Sequence, residues 1–522
     1  MKPQTDYHQP MIYVAVALIV GIMVGNGVGM SVGVKAYAVA FCVLLAFTGA
    51  TYCRSRWLCD ISLMLSAVAF GAFLESRQIE EQRIALPKGR VACQAIVVGM
   101  PQQHGKVIQT DAQIVSLNGR QLRPTLKARL SFLCDTLSDD TAPVPALGDG
   151  IAFSSRLQRP GDGYRASVDS HFDSRRWLLS QGYRVQTLIS SYDWHRVVLP
   201  LHSLGRADRV RLSVGKWREQ LLSQYRRMGI LGEEYAVLAA MTLGDKSCLT
   251  KNLRKVYSQT GTSHVLALSG LHLSIVFSIL LLTFGLFRVN RWVSYWLTLL
   301  VLWCFVVLVG MPVSVVRAAI MLSVGSIVLL LHRRSASLSA LSLAAVVVLV
   351  MNPESLWDVS FQLSFMAVLS LVVMEPMVEE LWYPRWRVVA WLWSTTRTSV
   401  IAQLGTAPLV VYYFGNLSVY FLPANLLVSL LSIPLLLLSF FFFLSLPLQW
   451  AHLACTSQLL SWLLSSATLL LNHGLRWLSA LPGASVNDIA FSQTQVWLYY
   501  FVLTCLLAAV LYEKRIKSSK SS

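Results

Sequence analysis

Residues 261–282 read GTSHVLALSGLHLSIVFSILLL. From Leu271 onward the stretch is apolar enough to lie in hydrocarbon, where a chain must satisfy its backbone polar groups internally. Its first half carries Ser263, His264, Ser269, Gly270 and His272, groups that lipid cannot solvate. A helix through 264–272 would set His264, Leu268, Leu271 and His272 on one side, with Ser269 beside His272. That face must meet protein or water. A packing seam, an active site and a permeation path are the three readings.

The rest of the chain supplies the setting. Hydrophobic residues make up 55% and charged residues 13%, against roughly a quarter charged in soluble domains. This excludes a wholly soluble protein. Met11–Val34 is long enough to cross about 30 Å of hydrocarbon, and it reads as an anchor rather than a cleaved signal. Three spans open the chain at 11–33, 36–52 and 59–75. Nine more are expected at 264–287, 291–310, 312–332, 335–351, 358–374, 396–415, 421–446, 455–479 and 494–512. The weakest, 455–479, carries Thr456, Ser457, Gln458, Ser461, Asn472 and His473, and an interfacial helix is its alternative.

Lys and Arg cluster in alternate loops: Arg54/Arg56, Arg288/Arg291, Arg333/Arg334, Arg385/Arg387/Arg397 and the tail Lys514/Arg515/Lys517/Lys520. The intervening loops, such as Met311-Pro312 and Asn352-Pro353-Glu354, lack basic residues apart from Lys35 in the first. The positive-inside rule then places both termini in the cytoplasm and residues 77–262 outside. The expected architecture is a polytopic α-helical membrane protein of about 11–12 spans with an inserted extracytoplasmic OB-like β-barrel domain. Its parts are a three-span anchor (1–76), the β domain (77–204), a basic helical juxtamembrane segment (205–262), a membrane domain (263–512) and a basic tail (513–522).

The β assignment rests on alternation at Val91–Val98, Lys106–Thr110 and Thr125–Leu133, with Gly119 and Gly148–Gly150 as turns. One helix is expected at 172–181 and a last strand near Tyr183–Ile189. Five or so strands with one short helix suit a small barrel of the OB type. Segment 205–258 holds eleven basic residues against five acids. The formal net charge of +18 thus has two sources, cytoplasmic loops and a surface suited to polyanions or anionic lipid. Of the nine cysteines, most lie in or beside apolar runs; Cys93 and Cys134 are candidates for a disulfide if their region is exported.

Chemistry-bearing patterns are few. Ser269 with a histidine as base would make an intramembrane serine hydrolase, yet nothing nearby orients the histidine. The ten histidines form no metal pattern. Gly244-Asp245-Lys246-Ser247 lacks the upstream glycine of a phosphate loop, so no nucleotide hydrolysis, metal or other cofactor is expected. Polar residues do recur in later spans: Arg317, Gln362, Gln403 and Asn425, with Pro and Gly nearby. Together they point to a polar path or a hydrogen-bonded bundle interior.

These residues match a family. Met241-Thr242-Leu243-Gly244-Asp245-Lys246, Thr260 through the HVLALSGLH run, Ser314–Ala318, Asn352-Pro353 with Phe361–Phe365, and Gly405–Pro408 to Asn425 resemble the ComEC competence proteins. Phe172–Tyr183 looks like that family's FDYxxYLxxQGI stretch. The likeness covers most of residues 11–450 in order. It implies an inner-membrane channel that conducts single-stranded DNA into the cytoplasm during natural transformation, and not an enzyme. Many members carry a further C-terminal metallo-β-lactamase-like domain, and this chain is read as a short form without it. A separate nuclease, a periplasmic DNA receptor and a cytoplasmic motor or DNA-binding proteins are the implied partners, beside membrane lipids.

Within that resemblance, His264, Ser269, Gly270, His272, Arg317, Gln362, Gln403 and Asn425 are the expected DNA path. Arg175, Arg176, Trp177, Arg209, Lys216, Arg226, Arg227 and Lys246 are the expected contacts outside. OB-type sites hold single strands by a positive groove and aromatic stacking, and Tyr164, Phe172, Trp177, Tyr183, Tyr192 and Trp194 are the nearest aromatics. Inward transfer of each phosphate against an interior-negative potential costs about 2.3 kcal/mol per 100 mV, so a passive conduit needs an external motor or gradient. A transporter or flippase for a smaller anionic envelope precursor is the alternative reading.

Overall fold

Each apolar run is a helix in the computed structural model, which describes residues 10–28, 33–52, 55–83, 86–87, 89–133, 144–162, 172–190, 192–331, 337–379, 382, 384–446 and 454–521. The first three helices are α1 (Pro10–Val28), α2 (Val34–Thr51) and α3 (Arg56–Gln82). The sheet region follows as β1 (Arg90–Val97), β2 (Gln102–His104), β3 (Val107–Leu117), β4 (Arg120–Leu133), β5 (Gly150–Arg156), α4 (Ser174–Ser180), β6 (Val185–Ile189) and β7 (Trp194–Arg196). Three helices lead back to the bundle: α5 (Arg206–Arg227), α6 (Gly232–Leu243) and α7 (Lys251–Gln259). The bundle itself is α8 (Gly270–Leu286), α9 (Arg291–Leu308), α10 (Val313–Leu330), α11 (Ser337–Met351), α12 (Val359–Glu379), α13 (Arg387–Phe414), α14 (Phe421–Ser445), α15 (Ala454–Ala480) and α16 (Gln493–Ser521). A two-stranded ribbon, β8 (Leu417–Ser418) with β9 (Ser485–Val486), clips the α13–α14 turn to the segment before α16.

Among the described residues, α2, α3, α9, α10, α12, α14 and α16 hold windows long and apolar enough to cross a membrane. Shorter apolar helices are α1, α8 and α11. By length and composition this gives seven spans, fewer than the expected eleven or twelve, although a helix stands at every expected position. The shortfall comes from charge and polarity in α13 and α15 and from brevity in the other three. The buried face of α15 carries Ser457, Ser461, Thr468 and Asn472, while Trp462 and Trp477 are exposed. Leu464, Leu471, Leu475 and Leu478 share that buried face, and Gln458 and His473 share the exposed one, so both sides of α15 are mixed in polarity.

Small residues set the helix crossings. A side chain on Gly21 of α1 would collide with the Val68 carbonyl of α3, and one on Gly71 with the Leu18 carbonyl, the close backbone approach that replaces hydrophobic driving force in lipid. Leu18 and Ile22 of the same α1 bury against Ile320, Val348, Leu349 and Phe361. Helix α1 is therefore packed between α3 and the bundle.

The sheet runs in the order β6-β4-β3-β1-β5-β7, with β2 on β3 and a parallel β4–β6 pair. Asn118 and Gly119 both take positive φ, which makes the two-residue hairpin turn between β3 and β4. Curling brings the sheet's far members together: Ser155 Oγ lies 2.7 Å from Thr187 Oγ1 and donates to the Leu188 carbonyl at 2.8 Å. The inner face is apolar, with Cys93, Leu130, Phe132, Ile151, Phe153, Val185 and Trp194 buried. A half-barrel sheet thus stands in the region where the sequence leads one to expect an OB-like domain. Burial pushes the Cys93 thiol up to about 12; Cys134, Tyr164, Arg54 and Arg333/Arg334 lie outside the described residues.

Helix α5 is a strut between the two parts. Its Leu212 packs with Ile96, Val115 and Leu204 at the sheet. Two turns and more further on, Leu222 and Tyr225 enter a core shared by α6, α7, α14 and α15. Every residue from Tyr235 to Leu243 of α6 is buried there. The basic character of 205–262 is thus a surface property of α5 and α7, wrapped around a helix that belongs to the bundle.

Candidate functional site: a polar cleft between the sheet and the bundle

The opening stretch is not one helix. Ser263–Leu266 forms a short 3₁₀ turn, Ala267 is extended, and α8 begins only at Gly270. This corrects the expectation that His264 and His272 share a helical face. The break has a local cause. His272 Nδ1 accepts from the Ser269 backbone N–H at 3.2 Å and lies 2.9 Å from Ser269 Oγ, which satisfies the helix start from within. Gly270 faces Ala318 of α10 at an ordinary packing distance. His264 is exposed, His272 is buried, and His272 Nε2 is buried without a partner.

Ser269 and His272 therefore stand at the distance of a Ser–His pair. Among the described residues no third group orients the far ring nitrogen. The contact serves as a helix cap. Replacing either residue with alanine should cost about 0.5–2 kcal/mol of stability, and the double variant should cost little more than the worse single one, since both lose one contact. Thermal unfolding of the purified chain checks this; unchanged midpoints would remove the cap from the account.

The broken segment is tied to α10 by Ser314 Oγ, which donates to the Leu268 carbonyl at 3.1 Å. One turn on, Arg317 does not line an open path. Its Nη1 meets Asp358 Oδ2 at 3.1 Å with both side chains only 3% exposed, and its Nη2 donates to Ser360. Asp358 also accepts the Ser360 backbone N–H at 3.1 Å at the start of α12. Asp358 is not among the expected site residues, because an Asp before an apolar run reads as an ordinary helix start.

Beyond Asp358 lies a cleft of about 200 Å³. From the sheet domain it is lined by Phe172, Asp173, Arg176 and Trp177 of the α4 region, and from the bundle by Trp357, Asp358, Val359, Gln362, Tyr412 and Tyr413. Asp173 caps α4 by accepting from the backbone of Arg175 and Arg176. Asn352 donates to the Ser180 carbonyl at 2.8 Å and so docks α4 on the turn before α12. Gln362 is fixed at both ends: it donates to the Leu356 carbonyl at 3.1 Å and accepts from Tyr413 OH at 2.9 Å.

Charge and aromatic faces alternate along this joint. Arg176 lies 4.6 Å over the Trp357 ring and pairs with Asp173 at 3.5 Å. Arg129 of β4 stacks on Trp177 at 5.1 Å and Tyr183 at 5.9 Å, the cation–π arrangement that favours Arg over Lys. Lys127 sits 4.3 Å over Tyr183, and burial lowers its pKa. Burial also raises the Tyr183 phenol, which donates to Asp111 at 2.6 Å. Tyr183 and Trp194 are buried in the sheet, whereas Tyr192 is exposed.

The structure places Arg176, Trp177 and Gln362 on the cleft, with Arg317 behind Asp358, and leaves the other expected site residues outside it. Gln403 is half-buried on α13, and Asn425 on α14 has its Oδ1 buried without a partner. Arg175, Arg209, Lys216, Arg226 and Arg227 are exposed on α4 and α5. Lys246 is half-buried, its pKa lowered by burial and then by the Arg254 charge. Arg218 on α5 donates to the Val309 carbonyl at 2.5 Å and pins the strut to the α9–α10 turn. Trp357, Tyr412 and Tyr413 were missed, because aromatics at helix ends read as interface anchors.

These features define a multi-pass helical membrane protein with a curled sheet domain docked over one end of its bundle. The chain belongs to the competence protein family, whose family profile matches residues 241–515, more than half of its length. It is 27% identical over 378 residues to ComE operon protein 3 of Bacillus subtilis, covering 70% of this chain and 44% of that protein. Recombination protein 2 of Haemophilus influenzae is 25% identical over 294 residues, covering 52% of this chain and 34% of that protein. The Escherichia coli protein YcaI, described as uncharacterized, is 26% identical over 235 residues, covering 41% and 30%. The chain thus spans less than half the length of each of these relatives. No solved structure matches it.

Proposed function

We propose that this chain takes part in DNA uptake for transformation, as an inner-membrane conduit along which single-stranded DNA passes from the sheet domain into the bundle. The observation that carries the reading is the cleft, where Arg176 and Trp177 of the sheet domain face Gln362 and Tyr413 of the family-matched region. A cation, flat aromatic faces and a fixed amide suit a phosphate and a base. The strand order β6-β4-β3-β1-β5 with its parallel β4–β6 pair supports an OB-like reading of the half-barrel.

The same contacts support an orientation. The ends of the bundle that meet the sheet side are Val309, held by Arg218, and Asn352, bonded to Ser180. The basic positions Arg288, Arg291, Arg385 and Arg387 sit at the opposite helix ends, which supports a cytoplasmic location for them and an external sheet domain.

Binding of a fluorescent oligothymidylate to the full chain in lipid nanodiscs tests the reading. Binding should weaken steeply with salt. Trp177→Ala should cost about 1–3 kcal/mol, and Arg176→Gln should reduce the salt slope by about one. Absence of binding even at low salt would overturn the conduit and favour a smaller anionic substrate.

A further inference from the structure

Glu75 lies about two turns from the end of α3 and is 1% exposed. Neither of its carboxyl oxygens has a hydrogen-bond partner. On one side its Cβ lies against Gly25 of α1, a helix with no charged residue. On the other stands the 3₁₀ turn Pro353–Trp357, whose Glu354 is 5% exposed and accepts from Gln82 at 2.9 Å. Trp357 Nε1 faces the Glu75 carboxyl without reaching hydrogen-bond geometry. Arg176 lies over the Trp357 ring, and it and Glu354 are the two charges that act on Glu75.

A carboxyl taken out of water beside a second carboxyl, with no cation in contact with it, takes up charge only at a penalty: lost hydration and the like charge both oppose ionisation of Glu75. Glu354 keeps a donor and Glu75 has none, so Glu75 is where the compensating positive charge must arrive. A metal cage is not on offer, because among the described residues no third His, Cys, Asp or Glu joins the pair.

We propose that Glu75 is a proton-binding site, and that its occupancy governs how far the Arg176 charge is available to the cleft. When Glu75 is ionised it draws on Arg176 through the Trp357 ring and lowers the positive potential of the cleft. When it holds a proton, that pull ends. The proton site stands by itself; the effect on the cleft rests on the single-strand reading above.

Infrared difference spectra of the full chain in nanodiscs, taken from mildly acidic to mildly alkaline pH, test the first part. A carboxylic-acid carbonyl band should fade on alkalinisation, be missing from Glu75→Gln and shift in Glu354→Gln. Spectra of Glu75→Gln identical to those of the original chain would overturn the site; should that variant not assemble, Glu75→Asp must move the band. For the second part, oligothymidylate should bind the original chain more tightly at acidic than at alkaline pH, and Glu75→Gln equally tightly at both. A titrating band with pH-independent binding would overturn the coupling. No binding at any pH, with the band still present, would sink the single-strand reading and leave the proton site standing.

Discussion

Asp358→Ala is expected to destabilise the protein by about 3–5 kcal/mol, because it strands Arg317 as an unpaired cation in a buried setting. Arg317 is 2% exposed and cannot turn to solvent. Its other anchor, the Ser360 hydroxyl, offers a dipole but no charge. The loss should be largely specific to the mismatch. Pairing Arg317→Met with Asp358→Asn removes the cation while keeping an acceptor for the Ser360 backbone N–H, and should recover most of the stability. Denaturant unfolding in detergent measures both. An unaltered midpoint in Asp358→Ala would show that the pair does not hold α10 to α12. If the double variant also keeps oligothymidylate binding, Arg317 buttresses the cleft and does not touch the strand.

Tyr225→Ala should be of similar size, about 3–5 kcal/mol, the usual cost of removing a large buried aromatic ring. Tyr225 is fully enclosed where the strut meets the bundle, with its ring 5.1 Å from both Phe442 and Phe443 of α14. Its hydroxyl stands 3.5 Å from Thr242 Oγ1 of α6. Removing it hollows the joint among three helices. Trp217→Ala on the same helix is the control: that ring is 67% exposed, and its loss should stay within about 0.5 kcal/mol. Equal effects from the two would mean that α5 is held by its outer face instead.

Much of this was legible in the residues. Apolar runs marked every bundle helix, since in lipid an uninterrupted helix is the solution for such a run. Period-two alternation marks β1, β3 and β4, and the short helix and the strand near 172–189 are α4 and β6; β6 is not the last strand, since β7 follows it and pairs with β5. One reading did not transfer: a helix through 264–272, with a break or close approach allowed at Gly270, gives way to a 3₁₀ turn and a helix that starts at Gly270, capped by His272 on Ser269. The basic helical juxtamembrane segment expected at 205–262 contains α6, whose residues Tyr235 to Leu243 are all buried.

What the sequence by itself determined is the class: a membrane bundle, a sheet domain inserted before the HVLALSGLH run, and the motifs that mark the family. Those are local properties, written in hydropathy, period and order. What only the tertiary structure decided is which polar groups meet. Arg317 found Asp358, Gln362 found Tyr413, Arg176 found Trp357, and Glu75 found Glu354 without a cation. A buried polar group takes its meaning from the partner across the interface, and tertiary packing supplies that partner from 41 to 279 residues away in the chain.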